Sequence, residues 1–218
     1  MIRPILPPVM PVAPFAEKFD AAGIILNVVS CVTLLGIFTF AMWIILKNSR
    51  KELKDPKMTA ALLCFDGVGL VLILLHGMTL TSVKGLILCM ILMWAGISDM
   101  AKHEVPDFIS AMIHILAFVE FTPANLPSMM IGAAVIFLPQ LLISVLRPGR
   151  AVGGADMKIS AALGFLLGAE KGLFAVITGL LAAVIVMLIV RRIRKESNKE
   201  PFALVPFLGF GAMLAVMI

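Results

Sequence analysis

The sequence predicts an all-α fold, a polytopic membrane helix bundle of about eight transmembrane helices with both termini outside. Three observations carry this expectation. The 218 residues are 61% hydrophobic and only 14% charged, with a mean hydropathy of +1.09. A soluble domain is nearer half apolar and a quarter charged, so the bilayer is the solvent this composition calls for. The apolar residues fall into eight runs, and the basic residues gather between alternate runs.

Residues 1–20 hold five prolines, Pro4, Pro7, Pro8, Pro11 and Pro14. They predict a stiff, extended lead with no helix pattern. It lacks a basic stretch with a small-residue cleavage site, so it is not read as a cleaved signal. The runs follow at about 21–46, 59–81, 84–99, 107–121, 126–146, 157–169, 172–190 and 202–218. Residues 21–58 make a first transmembrane helix and a short loop, and 59–218 make one membrane-embedded core. A perpendicular span needs about 20 residues. The runs at 84–99, 107–121 and 157–169 are shorter, so they extend into their flanks or sit where the bilayer is thin. The glycines of "ALGFLLGAEKG" suit close helix packing in lipid.

Eight spans place alternate loops on alternate sides. The loops 47–58, 100–106, 147–158 and 191–201 hold 14 of the 18 Lys and Arg residues. The other side has Arg3, Lys18, Lys84 and Lys171. The positive-inside rule puts the basic loops in the cytoplasm and both termini outside. The net charge of +5 is therefore a matter of membrane topology, not of nucleic acid. Cys31, Cys64 and Cys89 each lie inside an apolar run without CxxC spacing, which speaks against zinc and a disulfide framework.

Two carboxylates stand at cytoplasmic mouths of these runs. Asp99 lies in "GISDMAKHEVPDF" and Asp156 in "RAVGGADMKIS", 57 residues apart. Two intervening spans return the chain to the same side, so topology permits the two acids to meet. Neighbouring carboxylates share a proton: one draws a proton from water while the other supplies one to a substrate carbonyl or leaving amine. That chemistry needs no metal and no cofactor. Gly153 and Gly154 allow a positive-φ turn or a close backbone approach. Each acid also has a plain reading, Asp156 as a helix N-cap and Asp99 as an interfacial partner of Lys102. If they act together, helix ends predict an ionised Asp156 and a protonated Asp99, because Asp156 precedes a helix and Asp99 follows one.

These stretches resemble the type IV prepilin peptidases, membrane aspartyl proteases with a GxGD motif, and their archaeal preflagellin relatives. In that family an aspartate is followed seven positions on by a proline after an aliphatic residue, matched here by Asp99, Val105 and Pro106. A glycine-rich turn, Asp, an apolar residue and Lys form the second signature, matched by Gly153, Gly154, Asp156, Met157 and Lys158. The tail "PFALVPFLGFGAMLA" is similar to the family's last span, and the resemblance covers about 59–218. It implies a membrane aspartyl endopeptidase with catalytic Asp99 and Asp156. It also implies prepilin-like substrates, each a short basic leader before a hydrophobic helix, cleaved at the cytoplasmic boundary. Lys102, Pro106, Gly153, Gly154 and Lys158 are the supporting motif positions. Ala155 replaces the second glycine of GxGD, which predicts an altered turn. The loop "KNSRKELKDPKM" replaces the cytoplasmic cysteine domain of larger relatives, as in the compact enzymes of Tad/Flp-type pili, and argues against N-methylation.

The remaining polar residues divide between two readings. Glu104 and Asp107 are solvated loop charges or receivers of the basic leader. Asp66 is a helix-packing residue or a third acid near the site, and His76 and His114 lack partners at ligand spacing. Two rival functions stay open at this stage: a small proton- or cation-coupled transporter, and a catalytically inactive membrane scaffold.

Overall fold

A computed structural model describes the backbone of residues 21–48, 55–146, 153–194 and 203–218, with side chains over 28–47, 60–146, 153–193 and 203–218. The proline-rich lead and residues 49–54, 147–152 and 195–202, in or beside three of the four basic loops, lie outside the described residues. The described residues form α1 (Ala21–Asn48), α2 (Asp55–His76), α3 (Leu80–Lys102), α4 (Phe108–Ala117), a 3-10 turn (Pro123–Asn125), α5 (Leu126–Leu146), α6 (Gly154–Arg194) and α7 (Val205–Met217).

The 41 residues of α6 are not one rod. Gly168 has φ 79° and ψ −178°, a region open essentially to glycine alone. A Cβ added at Gly172 would lie 2.8 Å from the Cα of Gly164. In a straight helix those positions would be about 12 Å apart at 1.5 Å per residue. The chain therefore reverses at Gly168, and the two arms of α6 are antiparallel. Ser128 Oγ accepts from the Ala169 N–H at 3.1 Å and so caps the start of the second arm. Counted this way, the described helices follow the eight apolar runs of the sequence.

Small residues set the packing. A Cβ at Gly132 of α5 would collide with the Gly164 carbonyl oxygen and with the Gly168 backbone. A Cβ at Gly211 of α7 would collide with the Ala175 carbonyl oxygen on the second arm of α6. Helix backbones approach this closely only where the side chain is a hydrogen, a common packing solution in lipid. On the other flank of α7, Gly96 of α3 faces the Pro206 ring, 3.3 Å from where its Cβ would stand. The centre is filled by fully buried Leu86, Leu88, Ile109, Ile113, Ile159, Leu163 and Leu208.

The outer faces are apolar as well. Val32, Ile37 and Phe40 on α1, Leu138, Leu142 and Val145 on α5, and Leu181, Ile185 and Leu188 on α6 all point outward. Such faces suit lipid rather than water. Four helical stretches are long and apolar enough to cross a membrane: Val28–Lys47, Leu80–Lys102, Pro123–Leu146 and Gly154–Ile193, the last folded back at Gly168. Ala60–His76, Phe108–Ala117 and Val205–Met217 are shorter apolar helices. The protein is a helical, multi-pass membrane protein.

Candidate active site

The helices alternate in direction, so particular ends collect together. The C-terminal end of α3 and the N-terminal ends of α4, α6 and α7 share one end of the bundle. Between α3, the loop that follows it and the start of α6 lies a cavity of about 520 Å³ lined by Ser98, Asp99, Lys102 to Asp107, and Gly153 to Asp156. All the singled-out positions except Lys158 are therefore in its wall: both aspartates, Lys102, Glu104, Pro106, Asp107, Gly153 and Gly154.

Asp99 sits in the last turn of α3 and is 7% exposed. Its Oδ2 accepts the backbone N–H of Val205, the first residue of α7, at 3.0 Å. A buried carboxylate needs such a donor, since an unpaired one carries a large desolvation cost. The turn after it is fixed by His103, which adopts the left-handed conformation with φ 53° and returns its N–H to the Asp99 carbonyl at 2.9 Å. Ser98 Oγ donates to the Glu104 carbonyl at 3.0 Å and holds the following loop against the helix end.

Asp156 is half-buried in the first turn of α6. It is not the N-cap. The Gly153 carbonyl accepts the first helical bond, from the Met157 N–H at 3.1 Å, so Gly153 is the capping residue. The Asp156 carboxylate folds back to the Gly153 backbone N–H, as the third residue of a capping box does. A Cβ on Gly153 would stand 2.9 Å from Asp156 Oδ2, whereas one on Gly154 would meet nothing within 4 Å. Gly153 is thus needed for close approach, not for positive φ. Among the described glycines only Gly77 and Gly168 have positive φ. Ala155 lies inside the helix, where alanine is favourable, so the expected disturbance of the turn is absent.

Asp156 feels the charge of Asp99, so the two carboxylates interact across the cavity. The expected division of protonation between them loses its basis. That expectation set a helix C-terminus at Asp99 against an N-terminus at Asp156. In the structure Asp99 also meets a helix N-terminus, that of α7, and the helix ends no longer separate the two acids.

The other polar residues are mostly committed elsewhere. Asp107 pairs with Lys158 Nζ at 2.7 Å. Asp66 is away from the cavity and accepts from Thr39 Oγ1 between α2 and α1. His76 Nε2 meets the Val216 carbonyl at 2.9 Å, and His114 Nδ1 meets the Ser110 carbonyl at 2.7 Å. Buried Ser160, one turn beyond Asp156, hydrogen-bonds Gln140 of α5 at 3.0 Å and anchors that turn. Val205 and Gln140 escaped the sequence reading: a backbone donor leaves no signature, and Gln140 sits in an otherwise apolar run.

No curated protein and no solved structure gives a significant match to the chain. A family model described as the type IV leader peptidase family matches residues 86–189. That segment runs from α3 through most of α6 and contains Asp99, Asp156 and the loops that hold them. Over that segment the chain is similar to the type IV leader peptidase family.

Proposed function

We propose that the protein is a membrane aspartyl endopeptidase that removes the basic leader from prepilin-like substrates, with Asp99 and Asp156 as the catalytic pair. The observation that carries this reading is their meeting in one cavity from motifs 57 residues apart. One carboxylate takes a proton from water, and the water oxygen attacks the scissile carbonyl. The other, protonated, hydrogen-bonds the carbonyl oxygen as negative charge develops there. The tetrahedral intermediate collapses, the C–N bond breaks, and the amine leaves with a proton from the pair. The backbone N–H groups of Val205 and Gly153 keep the two carboxylates in position throughout, and pre-positioning of this kind lowers the barrier.

In this reading the basic loops mark the cytoplasmic side, the chain crosses eight times with both termini outside, and residues 59–218 form the peptidase core. Glu104 and Asp107 on the cavity wall receive the basic leader, and the bilayer holds the substrate's hydrophobic helix at the right depth. The decisive experiment reconstitutes the full chain in vesicles with a prepilin-type peptide. Cleavage at the leader boundary, lost in Asp99→Asn and in Asp156→Asn, supports the reading. Undiminished cleavage by either variant removes it.

A further inference from the structure

Lys158 and Asp107 are 51 residues apart in sequence, yet their side chains meet at 2.7 Å. The pair joins the start of α6 to the residue that precedes α4. Both partners are open to solvent, Lys158 at 50% and Asp107 at 74%. Exposed ion pairs are weak, so exchanging one cation for another there is easy. Asp107 lines the cavity that holds the aspartates, and Lys158 does not. The carboxylate is therefore held by an internal ammonium on one side and faces the cavity on the other.

We propose that Lys158 is an internal stand-in for the substrate: its ammonium holds the cation seat at Asp107 until a basic leader residue in the cavity displaces it. This deepens the peptidase reading and rests on it. A leader lysine or arginine replaces like with like, and the released Lys158, already half in water, returns to solvent. A neutral leader residue makes no such exchange. It leaves Asp107 with Lys158 and gains nothing from the seat. Glu104, on the same wall, adds to the negative charge that a basic leader meets, while Lys102 opposes it. Selectivity for basic leaders then arises as a difference between two occupants of one seat.

The test compares kcat/KM for two peptides that differ only in a basic or neutral leader residue, using the full chain in vesicles. Lys158→Gln removes the internal competitor and raises the basic-to-neutral ratio by up to about fivefold. Lys158→Arg holds Asp107 through a two-pronged guanidinium and lowers the ratio. Asp107→Asn lowers it further. The double swap Asp107→Lys with Lys158→Asp rebuilds the pair in reverse and turns the preference towards an acidic leader. If every variant changes both peptides by the same factor, or if the double swap restores the original ratio, the pair is only a strap between helices and the proposal is overturned. If Lys158→Gln fails to insert, the arginine variant and the double swap decide in the same way. A wild-type chain that cleaves neither peptide overturns the peptidase reading itself, a result separate from any change in ratio.

Discussion

The two ends of the bundle treat acidic residues in opposite ways. At the end away from the aspartates, Glu120 accepts from Thr81 Oγ1 at 3.2 Å and lies within the electrostatic reach of Lys84. Lys84 Nζ itself donates to the Val119 carbonyl at 2.9 Å, which closes the exit from α4. There the acid has a cation and a hydroxyl beside it, an arrangement that steadies a turn. At the other end Asp99 and Asp156 each accept from a backbone N–H, and Asp156 stands within reach of the second carboxylate, Asp99. The difference teaches that an acid beside a helix end is not itself the mark of chemistry. What distinguishes the end proposed to be reactive is a pair of acids held by donors that cannot take up or release a proton themselves.

The strongest way to break this comparison is to neutralise acids at both ends. Asp99→Asn or Asp156→Asn should each lower leader cleavage by about 10⁴-fold or more, as loss of one member of a catalytic unit does. Glu120→Gln should change it by no more than about twofold, measured in the same vesicles with expression verified. Equal damage from the Glu120 variant would erase the distinction between the ends.

The two neighbouring glycines sharpen it next. Gly153→Ala places a methyl against the Asp156 carboxylate and should cost about 10²-fold in kcat, the scale of a displacement near 1 Å. Gly154→Ala meets open space and should cost less than about threefold. Similar losses at both positions would mean that backbone freedom, rather than the approach of Asp156, is what Gly153 provides.

The last variant concerns the far end alone. Gly168→Ala forces a side chain into a glycine-only conformation and against Ser128 Oγ. It should destabilise the folded protein by about 1–3 kcal/mol. The measurement is thermal unfolding in detergent, read beside kcat. A fall in kcat without a fall in stability would tie the far end to the chemistry and blur the contrast.

Much of the fold is legible in the sequence because lipid imposes a simple rule on it. Apolar runs become helices, and the break between the runs at 157–169 and 172–190 falls within three residues of the reversal at Gly168. The residues of the acid end are legible too, since the Asp99 and Asp156 motifs each lie within a dozen consecutive positions. What escapes is whatever depends on an approach between distant helices. The separate duties of Gly153 and Gly154 follow from where the Asp156 side chain turns, which spacing does not encode. Asp107 reads as a loop charge until α6 brings Lys158 to it. The helix-end argument about Asp99 could not foresee that α7, 106 residues on, delivers its own N-terminus to that carboxylate.

That last contact has a temporal side. The Asp99 carboxylate receives its donor from a residue 106 positions later in the chain. A ribosome adding about 5–20 residues per second releases α3 several seconds before it reaches Val205. During that interval a nascent chain can already carry Asp99 and Asp156 in the membrane, but the N–H that holds Asp99 does not yet exist. The order of synthesis thus separates the arrival of the acids from the completion of their setting, and α7, made well after both, is the helix that finishes it.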